Sequence, residues 1–167
     1  FQDFFDLNEL GAVVTKTVTP EPRPGNKPQR IVETVGGMLN SIGLPNVGVE
    51  NFIVEKMPFL NTLSTNKIIN VAGKTEDGFV QAVAKLEDVD GIDAYELNYS
   101  CPNVKEGGLT FSASAKVAED VTVRVRKITN RPVIVKLTPN VTSISEIGKA
   151  VENGGADGHS QWHFLQT

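Results

Sequence analysis

Short apolar runs alternate with amphipathic segments along most of the chain. Runs rich in β-branched residues predict strands at 12–18, 67–72, 94–98 and 132–137, with another strand beginning at Ala156. Segments with apolar residues at helical spacing predict helices at 49–63, with a bend at Pro58, and at 75–88, 114–128 and 143–153. This order of elements predicts βα units built on a parallel sheet.

Two regions near the start of the chain lack this alternation. Residues 4–10 are predicted to be the end of a helix that Gly11 stops. Residues 20–37 contain four prolines and three glycines and are predicted to form a long loop. A loop of this length without secondary structure of its own is more often functional than not.

The predicted sheet fits either an open doubly wound fold or part of a (β/α)8 barrel. Both folds bind ligands at the carboxyl ends of their strands. No Gly-x-Gly-x-x-Gly turn follows a predicted strand, so a dinucleotide crevice is unsupported. Four polar residues fall in or at the carboxyl end of four different strands, namely Lys16, Asn70, Asn98 and Lys136.

The two lysines in this set suggest the charge of the ligand. A lysine buried in a strand is unfavourable unless its ammonium is paired. Lys16 and Lys136 together therefore indicate a shared anionic or electron-rich ligand, although either lysine alone is equally compatible with a strand-end side chain that reaches solvent.

Cys101 is the only cysteine of the chain and follows an apolar run that predicts a buried strand. Asn98 and Asn103 flank it with amides that can both donate and accept hydrogen bonds, and Pro102 stiffens the turn. The polar, glycine-rich stretch at 104–108 places this loop at a surface or cleft. The pattern indicates a ligand site, with a small buried hydrophobic residue as the alternative reading of Cys101.

Composition excludes several classes of function. The net charge is −4, the pI is about 5.2, and no Lys/Arg run is interleaved with aromatic residues, so nucleic acid is a poor candidate partner. The absence of a disulfide framework, a signal-like segment and a long apolar stretch predicts a cytoplasmic protein without membrane attachment. The chain opens on Phe1 without an initiator Met, and we expect it to be a piece of a longer protein.

Four stretches carry a family resemblance: Val-Val-Thr-Lys-Thr at 13–17, Gly-Gly-Met-Leu-Asn-Ser-Ile-Gly-Leu-Pro-Asn at 36–46, Glu-Leu-Asn-Tyr-Ser-Cys-Pro-Asn at 96–103 and Val-Ile-Val-Lys-Leu-Thr-Pro-Asn at 133–140. In this order they resemble the class 1 dihydroorotate dehydrogenases. Residues 20–26, followed by Gly-Gly-Met-Leu-Asn, resemble the NAD-linked subclass 1B catalytic subunit. Class 2 members have Ser where Cys101 stands and attach to membranes, so they fit less well.

The resemblance implies an α/β fold of the parallel (β/α)8 TIM barrel family, here a partial barrel of about five βα units at 1–158. It implies oxidation of (S)-dihydroorotate to orotate in de novo pyrimidine (UMP) biosynthesis, with FMN as hydride acceptor. Cys101 is then the base that takes the C5 proton while flavin N5 takes hydride from C6. The implied partners are a second copy in a homodimer and an FAD and iron–sulfur subunit that links to NAD.

The resemblance also assigns roles to individual residues, and it implies no metal site. The implied substrate-binding residues are Lys16, Asn40, Ser41, Ile42, Gly43, Leu44, Asn98 and Asn103. The implied flavin-binding residues are Lys16, Thr17, Asn70, Asn98 and Lys136, the last near the N1–C2 edge of the flavin.

The chain also departs from the family pattern. Family members have a first strand before the position of Phe1 and further βα units after that of Thr167, and a complete barrel has about 250 residues. Residues 159–167 read as a divergent tail, with His163 where a substrate-binding Asn is expected and Phe164 where Thr is expected. Two alternatives therefore remain: a non-catalytic truncated half-barrel, and a barrel like that of dihydropyrimidine dehydrogenase.

Overall fold

The computed structural model describes residues 4–100 and 114–161. The strands are β1 (Ala12–Val14), β2 (Ile31–Thr34), β3 (Gly37–Asn40), β4 (Asn66–Val71), β5 (Ala94–Asn98), β6 (Val133–Leu137) and β7 (Gly158–Gln161). The helices are α1 (Gly48–Glu55), α2 (Met57–Leu60), α3 (Glu76–Glu87), α4 (Ala115–Arg126) and α5 (Ile144–Asn153).

Five of the strands form one parallel sheet in the order β1-β4-β5-β6-β7. Each strand pairs with the next parallel strand along the chain, without the reversal of order that defines a doubly wound sheet. Ser160 of β7 donates a hydrogen bond of 2.8 Å to Glu96 of β5, although β6 lies between them. Inward side chains of alternate strands meet in this way when a sheet curls into a barrel. The predicted partial (β/α)8 barrel is confirmed.

The hydrophobic core lies between the outer face of the sheet and the helices. Alternate strand residues supply one side of it: Ile69, Val71, Tyr95, Leu97, Val133, Val135 and Leu137. The apolar faces of the helices supply the other side: Phe79, Val83, Leu86, Val121, Val125, Ile147 and Val151. The inner face of the sheet is therefore left for the polar residues described below.

Three helices begin directly after a residue whose side chain caps the first turn. The hydroxyls of Thr75, Ser114 and Ser143 accept hydrogen bonds of 3.2, 3.4 and 3.3 Å from the backbone N–H three residues further on. Such caps satisfy a backbone donor that the first turn of a helix leaves unpaired. The helix predicted at 49–63 is divided into α1 and α2, and Pro58 lies in the first turn of α2.

Two predictions near the start of the chain are wrong. Residues 4–10 hold only a 3-10 turn at Leu7–Glu9, capped by a 2.9 Å hydrogen bond from the Asn8 N–H to Asp6. The predicted loop at 20–37 contains β2 and the start of β3, which form an antiparallel hairpin. Every residue of both hairpin strands is exposed, so no alternation of buried and exposed positions marks them in the sequence.

Arg131 joins α3 and β5 at the end of the sheet opposite the carboxyl ends of its strands. Its Nη1 atom donates to the Glu87 carbonyl at 2.8 Å and to the Tyr95 hydroxyl at 3.1 Å, and it lies 3.1 Å from the Glu87 carboxylate. Burial, reinforced by the charge of Glu87, raises the pKa of Tyr95 well above its ordinary value. Tyr95 therefore keeps its proton, and its hydroxyl donates a hydrogen bond of 3.0 Å to the Glu87 carboxylate.

We expect Arg131→Met to lower the free energy of unfolding by about 2 kcal/mol, because the half-buried Glu87 and the fully buried Tyr95 lose a charged partner. Urea unfolding of both proteins measures the difference. The matched control is Lys127→Met at an exposed position, which should change the free energy by less than about 0.5 kcal/mol. Equal losses in the two variants would show that the Arg131 contacts do not stabilise the fold.

Candidate functional site

Polar side chains gather on the inner face of the sheet near the carboxyl ends of its strands. They are Thr17, Asn70, Glu96, Asn98 and Ser160, and we call this set the mouth network. Thr17 follows β1, and the other four lie on β4, β5 and β7. The first four of the set are buried, and the hydrogen bonds form two groups on the same face, Thr17 with Asn98 and Glu96 with Asn70 and Ser160.

A bulge after β1 turns Thr17 toward this network. Val14 pairs with Ile68 and Val18 with Val71, so β1 has one residue more than β4 over this stretch. The predicted strand at 12–18 is therefore too long: regular pairing ends at Val14. Beyond the bulge, Thr17 Oγ1 accepts a hydrogen bond of 3.1 Å from Asn98 Nδ2, across the intervening β4.

Asn98 is held at both ends of its amide. Its Nδ2 donates to Thr17, and its Oδ1 accepts a hydrogen bond of 2.7 Å from Ser100 Oγ. The next residue, Tyr99, is fully buried, with its ring edge-on to Phe79 at 5.3 Å. Burial raises the pKa of Tyr99 well above its ordinary value, so its hydroxyl stays neutral beside Thr122. These contacts hold the chain up to Ser100.

Glu96 is a member of the network that the sequence analysis missed. Its side chain is 8% exposed, and its two carboxylate oxygens accept hydrogen bonds from Asn70 Nδ2 and, at 2.8 Å, from Ser160 Oγ. The sequence does carry a signal for it. An acid in the apolar run Ala-Tyr-Glu-Leu-Asn needs hydrogen-bond donors when buried, and strand alternation puts it on the same face as Asn98.

Asn70 carries a polar atom without a partner. The residue is 2% exposed, its Nδ2 donates to Glu96, and its Oδ1 has no hydrogen bond among the residues that the structure describes. Leaving a buried acceptor unpaired is unfavourable by about 1–3 kcal/mol. The arrangement therefore fits a bound molecule that donates an N–H or O–H to Asn70.

The two candidate lysines occupy different surroundings. Lys136 lies on β6, half-buried, and pairs in register with Asn98, so it shares the inner face with the network. Lys16 lies beyond the end of β1 and is exposed, so the prediction of a buried strand lysine is wrong for this residue. It lines an apolar cleft of about 410 Å³ between β1 and the α1–α2 pair.

The candidate substrate segment, Asn40 to Leu44, lies in residues 23–46, which we call the arm and whose ends pair at Arg23 and Asn46. Asn26 Nδ2 donates to the carbonyl and to the hydroxyl of Ser41 at 2.9 and 2.8 Å. Gly43 has φ +80° and a Cβ there would lie 2.6 Å from Asn26 N, so glycine is required. Leu44 has φ +56°, a conformation that is unusual for a bulky side chain and is found mainly at functional sites.

The structure does not join this segment directly to the mouth network. Among the described residues, no hydrogen bond links positions 40–44 to Thr17, Asn70 or Asn98. Asn46 makes the indirect connection. Its Oδ1 accepts from the backbone N–H groups of Thr19 and Gly48 at 3.1 and 3.0 Å, and its Nδ2 donates to the Leu44 carbonyl at 3.1 Å.

We expect Asn46→Ala to lower the free energy of unfolding by about 1–3 kcal/mol, because the N–H groups of Thr19 and Gly48 lose their acceptor. The arm should also be cleaved faster in limited proteolysis, since Leu44 is no longer tied to the end of β1. Asn51→Ala is the matched control, because Asn51 is exposed on α1 and makes one hydrogen bond, to Val47 at 3.2 Å. Equal cleavage rates in the two variants would contradict the anchoring role of Asn46.

Several predicted features lie outside the described residues. They include Cys101, Asn103, His163 and Phe164. The division between a barrel part at 1–158 and a tail at 159–167 stays a prediction, and β7 itself runs across it to Gln161. Within 4–100 and 114–161 there is no group of three His, Cys, Asp or Glu residues that could hold a metal. Over the same residues, no helix has both the length and the apolar character needed to span a bilayer.

Known proteins match nearly the whole chain. The family model described as dihydroorotate dehydrogenase matches residues 1–162. A protein of Desulforamulus reducens is 51% identical over 160 residues, and one of Alkaliphilus metalliredigens is 52% identical over the same number. Both are named dihydroorotate dehydrogenase B (NAD(+)), catalytic subunit, and each match covers 96% of this chain but 53% of the relative. The chain thus spans about half the length of the curated relatives it matches.

Proposed function

The chain belongs to the dihydroorotate dehydrogenase family, and we propose that the protein oxidises (S)-dihydroorotate to orotate in de novo pyrimidine biosynthesis. The match of residues 1–162 to the family is the observation that carries this proposal. FMN is the proposed cofactor, and when bound it supplies the acceptor for the hydride that leaves substrate C6.

The mouth network fits a flavin, because a flavin ring presents both hydrogen-bond donors and acceptors at its edge. The unpaired Asn70 Oδ1 can accept a ring N–H. We assign Thr17 and Asn98 to flavin contacts from the same network. Lys136, on the inner face beside Asn98, supplies positive charge that stabilises electron-rich ring atoms.

We assign the base to Cys101, which follows Ser100 directly in the chain. Its Sγ takes the proton from substrate C5. A free thiol has a pKa of about 8.5, so the thiolate must be favoured by positive charge or by hydrogen-bond donors around it. The segment before Cys101 supports this role, because the hydrogen bonds of the Asn98 and Tyr99 side chains fix its backbone at the barrel mouth.

The proposed substrate contacts come from two parts of the chain. Asn98, Asn103 and Lys16 lie at or beyond strand ends in the sequence and offer amides and a positive charge to the ring and its carboxylate. The arm offers Asn40, Ser41, Ile42, Gly43 and Leu44, by side chain or backbone N–H. The positive φ angles of Gly43 and Leu44 support a binding role for this segment.

The partners are proposed from the same relatives. Their name describes a catalytic subunit and NAD(+), which supports a second subunit that passes electrons to NAD. We propose FAD and an iron–sulfur cluster in that subunit, and a homodimer of the catalytic chain. A cytoplasmic location belongs to the same proposal.

Anaerobic mixing of the purified full-length protein with dihydroorotate tests this function. We expect the flavin absorbance to bleach and one orotate to form for each flavin reduced. Dihydrouracil, which lacks the carboxylate, is the control substrate and should not bleach the flavin. Bleaching by dihydrouracil alone would instead support the barrel similar to dihydropyrimidine dehydrogenase.

A non-catalytic half-barrel is the second candidate. Fluorescence titration of this 167-residue chain with FMN tests it. Submicromolar binding together with turnover would reject the half-barrel, whereas neither property in a folded chain would support it.

A further inference from the structure

We infer that Glu96 is a positioning residue: it fixes the amide of Asn70 so that Oδ1 faces a bound ring and accepts its imide N–H. The inference deepens the proposed function and rests on it. It concerns a residue for which neither the sequence motifs nor the family resemblance supplies a role.

The chemistry of the carboxylate determines which way the Asn70 amide points. Glu96 and Asn70 are paired in register on neighbouring strands. An ionised carboxylate only accepts hydrogen bonds, so the nitrogen of the Asn70 amide must face it. Ser160 donates to the second carboxylate oxygen at 2.8 Å, which keeps Glu96 from rotating away.

The backbone of Asn70 is held as firmly as its side chain. Its N–H donates to Thr15 Oγ1 at 3.2 Å, and its carbonyl accepts from the Val18 N–H at 2.8 Å. Both partners belong to the bulged stretch after β1. With the backbone fixed on one side and the amide nitrogen bonded to Glu96 on the other, Oδ1 is the buried side-chain atom of Asn70 that has no partner among the described residues.

A fixed, buried amide oxygen selects one kind of ligand group. It accepts from an N–H and rejects a ring nitrogen that carries a lone pair or a methyl group. Two molecules of the proposed reaction share the required group, an N–H between two carbonyls. They are the pyrimidine half of the flavin and the ring of orotate or dihydroorotate.

Glu96→Gln in the full-length protein separates positioning from a merely structural role. Glutamine has the same shape and can still bond to both neighbours, but its amide can turn and donate to Asn70 Oδ1. We expect the dissociation constant of the ligand that Asn70 binds to rise about tenfold, the effect of losing one buried hydrogen bond. Glu50→Gln, on the exposed surface of α1, is the matched control.

Asn70→Ala and the double variant show whether Glu96 acts through Asn70. If it does, Glu96→Gln should have no further effect on ligand affinity in the Asn70→Ala background. Dissociation constants for FMN come from its fluorescence, and those for orotate from the change in flavin absorbance. Full additivity of the two substitutions would overturn the inference.

Methylated ligands provide a test of the unsubstituted protein that does not depend on the folding of any variant. FMN and orotate are compared with their N3-methyl derivatives. For the ligand that faces Asn70, we expect the N3-methyl derivative to bind at least about tenfold more weakly than the parent compound. This loss of affinity should be smaller in Glu96→Gln. The ligand whose N3-methyl derivative binds as tightly as the parent compound is then the one that does not face Asn70.

The outcomes distinguish this inference from the proposed function. Tight binding of FMN and orotate with no penalty for either methyl group would overturn the positioning role of Glu96 and leave the proposed function standing. Binding of neither FMN nor orotate by the wild-type protein would overturn the proposed function and, with it, the ligand assigned to Asn70.

Discussion

Replacing Cys101 by serine in the full-length protein is expected to slow reduction of the flavin by dihydroorotate about 10²- to 10⁴-fold, the range that a positioned base contributes. An alcohol is a far weaker acid than a thiol, so the variant has almost no anion to take the C5 proton. The side chain hardly changes in shape, and orotate should therefore bind almost as tightly as to the wild-type protein.

Stopped-flow bleaching of the flavin measures the rate, and titration with orotate serves as the control for an intact site. The rate in the wild-type protein should rise with pH as the thiol ionises, and the serine variant should lose this dependence near neutral pH. Reduction within a few-fold of the wild-type rate would remove Cys101 from the role of base.

Replacing Lys136 by alanine is expected to lower both the FMN content and the reduction potential of the bound flavin. Reduction adds electrons to the ring, and a nearby ammonium stabilises the more negative form. Lys136 shares the inner face with Asn98, so its charge lies within the network that we assign to the flavin. We expect a fall of roughly 30 mV, which corresponds to about 1.4 kcal/mol in a two-electron couple.

Potentiometry with a reference dye measures the midpoint, and flavin absorbance per protein gives the occupancy. Lys149→Ala is the matched control, because it removes the same charge from an exposed position on α5. An unchanged midpoint with full FMN occupancy would show that Lys136 is an ordinary strand-end lysine.

The polar residues that sequence reasoning placed at the strand ends include two that the structure puts on the same inner face of the sheet. Asn70 and Asn98 could be predicted because each lies in or at the carboxyl end of an apolar strand, and parallel strands present their carboxyl ends at one edge. Glu96 could have been predicted from alternation on the same strand. Lys16 was misjudged, since nothing in Val-Val-Thr-Lys-Thr shows that regular pairing stops at Val14.

The exposed arm shows a second limit of sequence reasoning. Its prolines and glycines predict turns but not the hairpin between them, because both hairpin strands are exposed and bury no face. The function of Asn46 was also hidden. Its partners are Thr19 before the arm, Leu44 within it and Gly48 after it. A lone asparagine in a loop does not reveal which backbone groups it bonds to.

The strands and helices of the parallel sheet can be read from local patterns, because periodicity and caps such as Thr75 depend on residues a few positions apart. Which side chains meet inside the curled sheet depends instead on contacts between distant parts of the chain. Thr17 and Asn98 are 81 residues apart, and Glu96 and Ser160 are 64 apart. Each pair meets across an intervening strand, so the contact depends on register, on the bulge and on the curvature of the whole sheet, none of which a local pattern encodes.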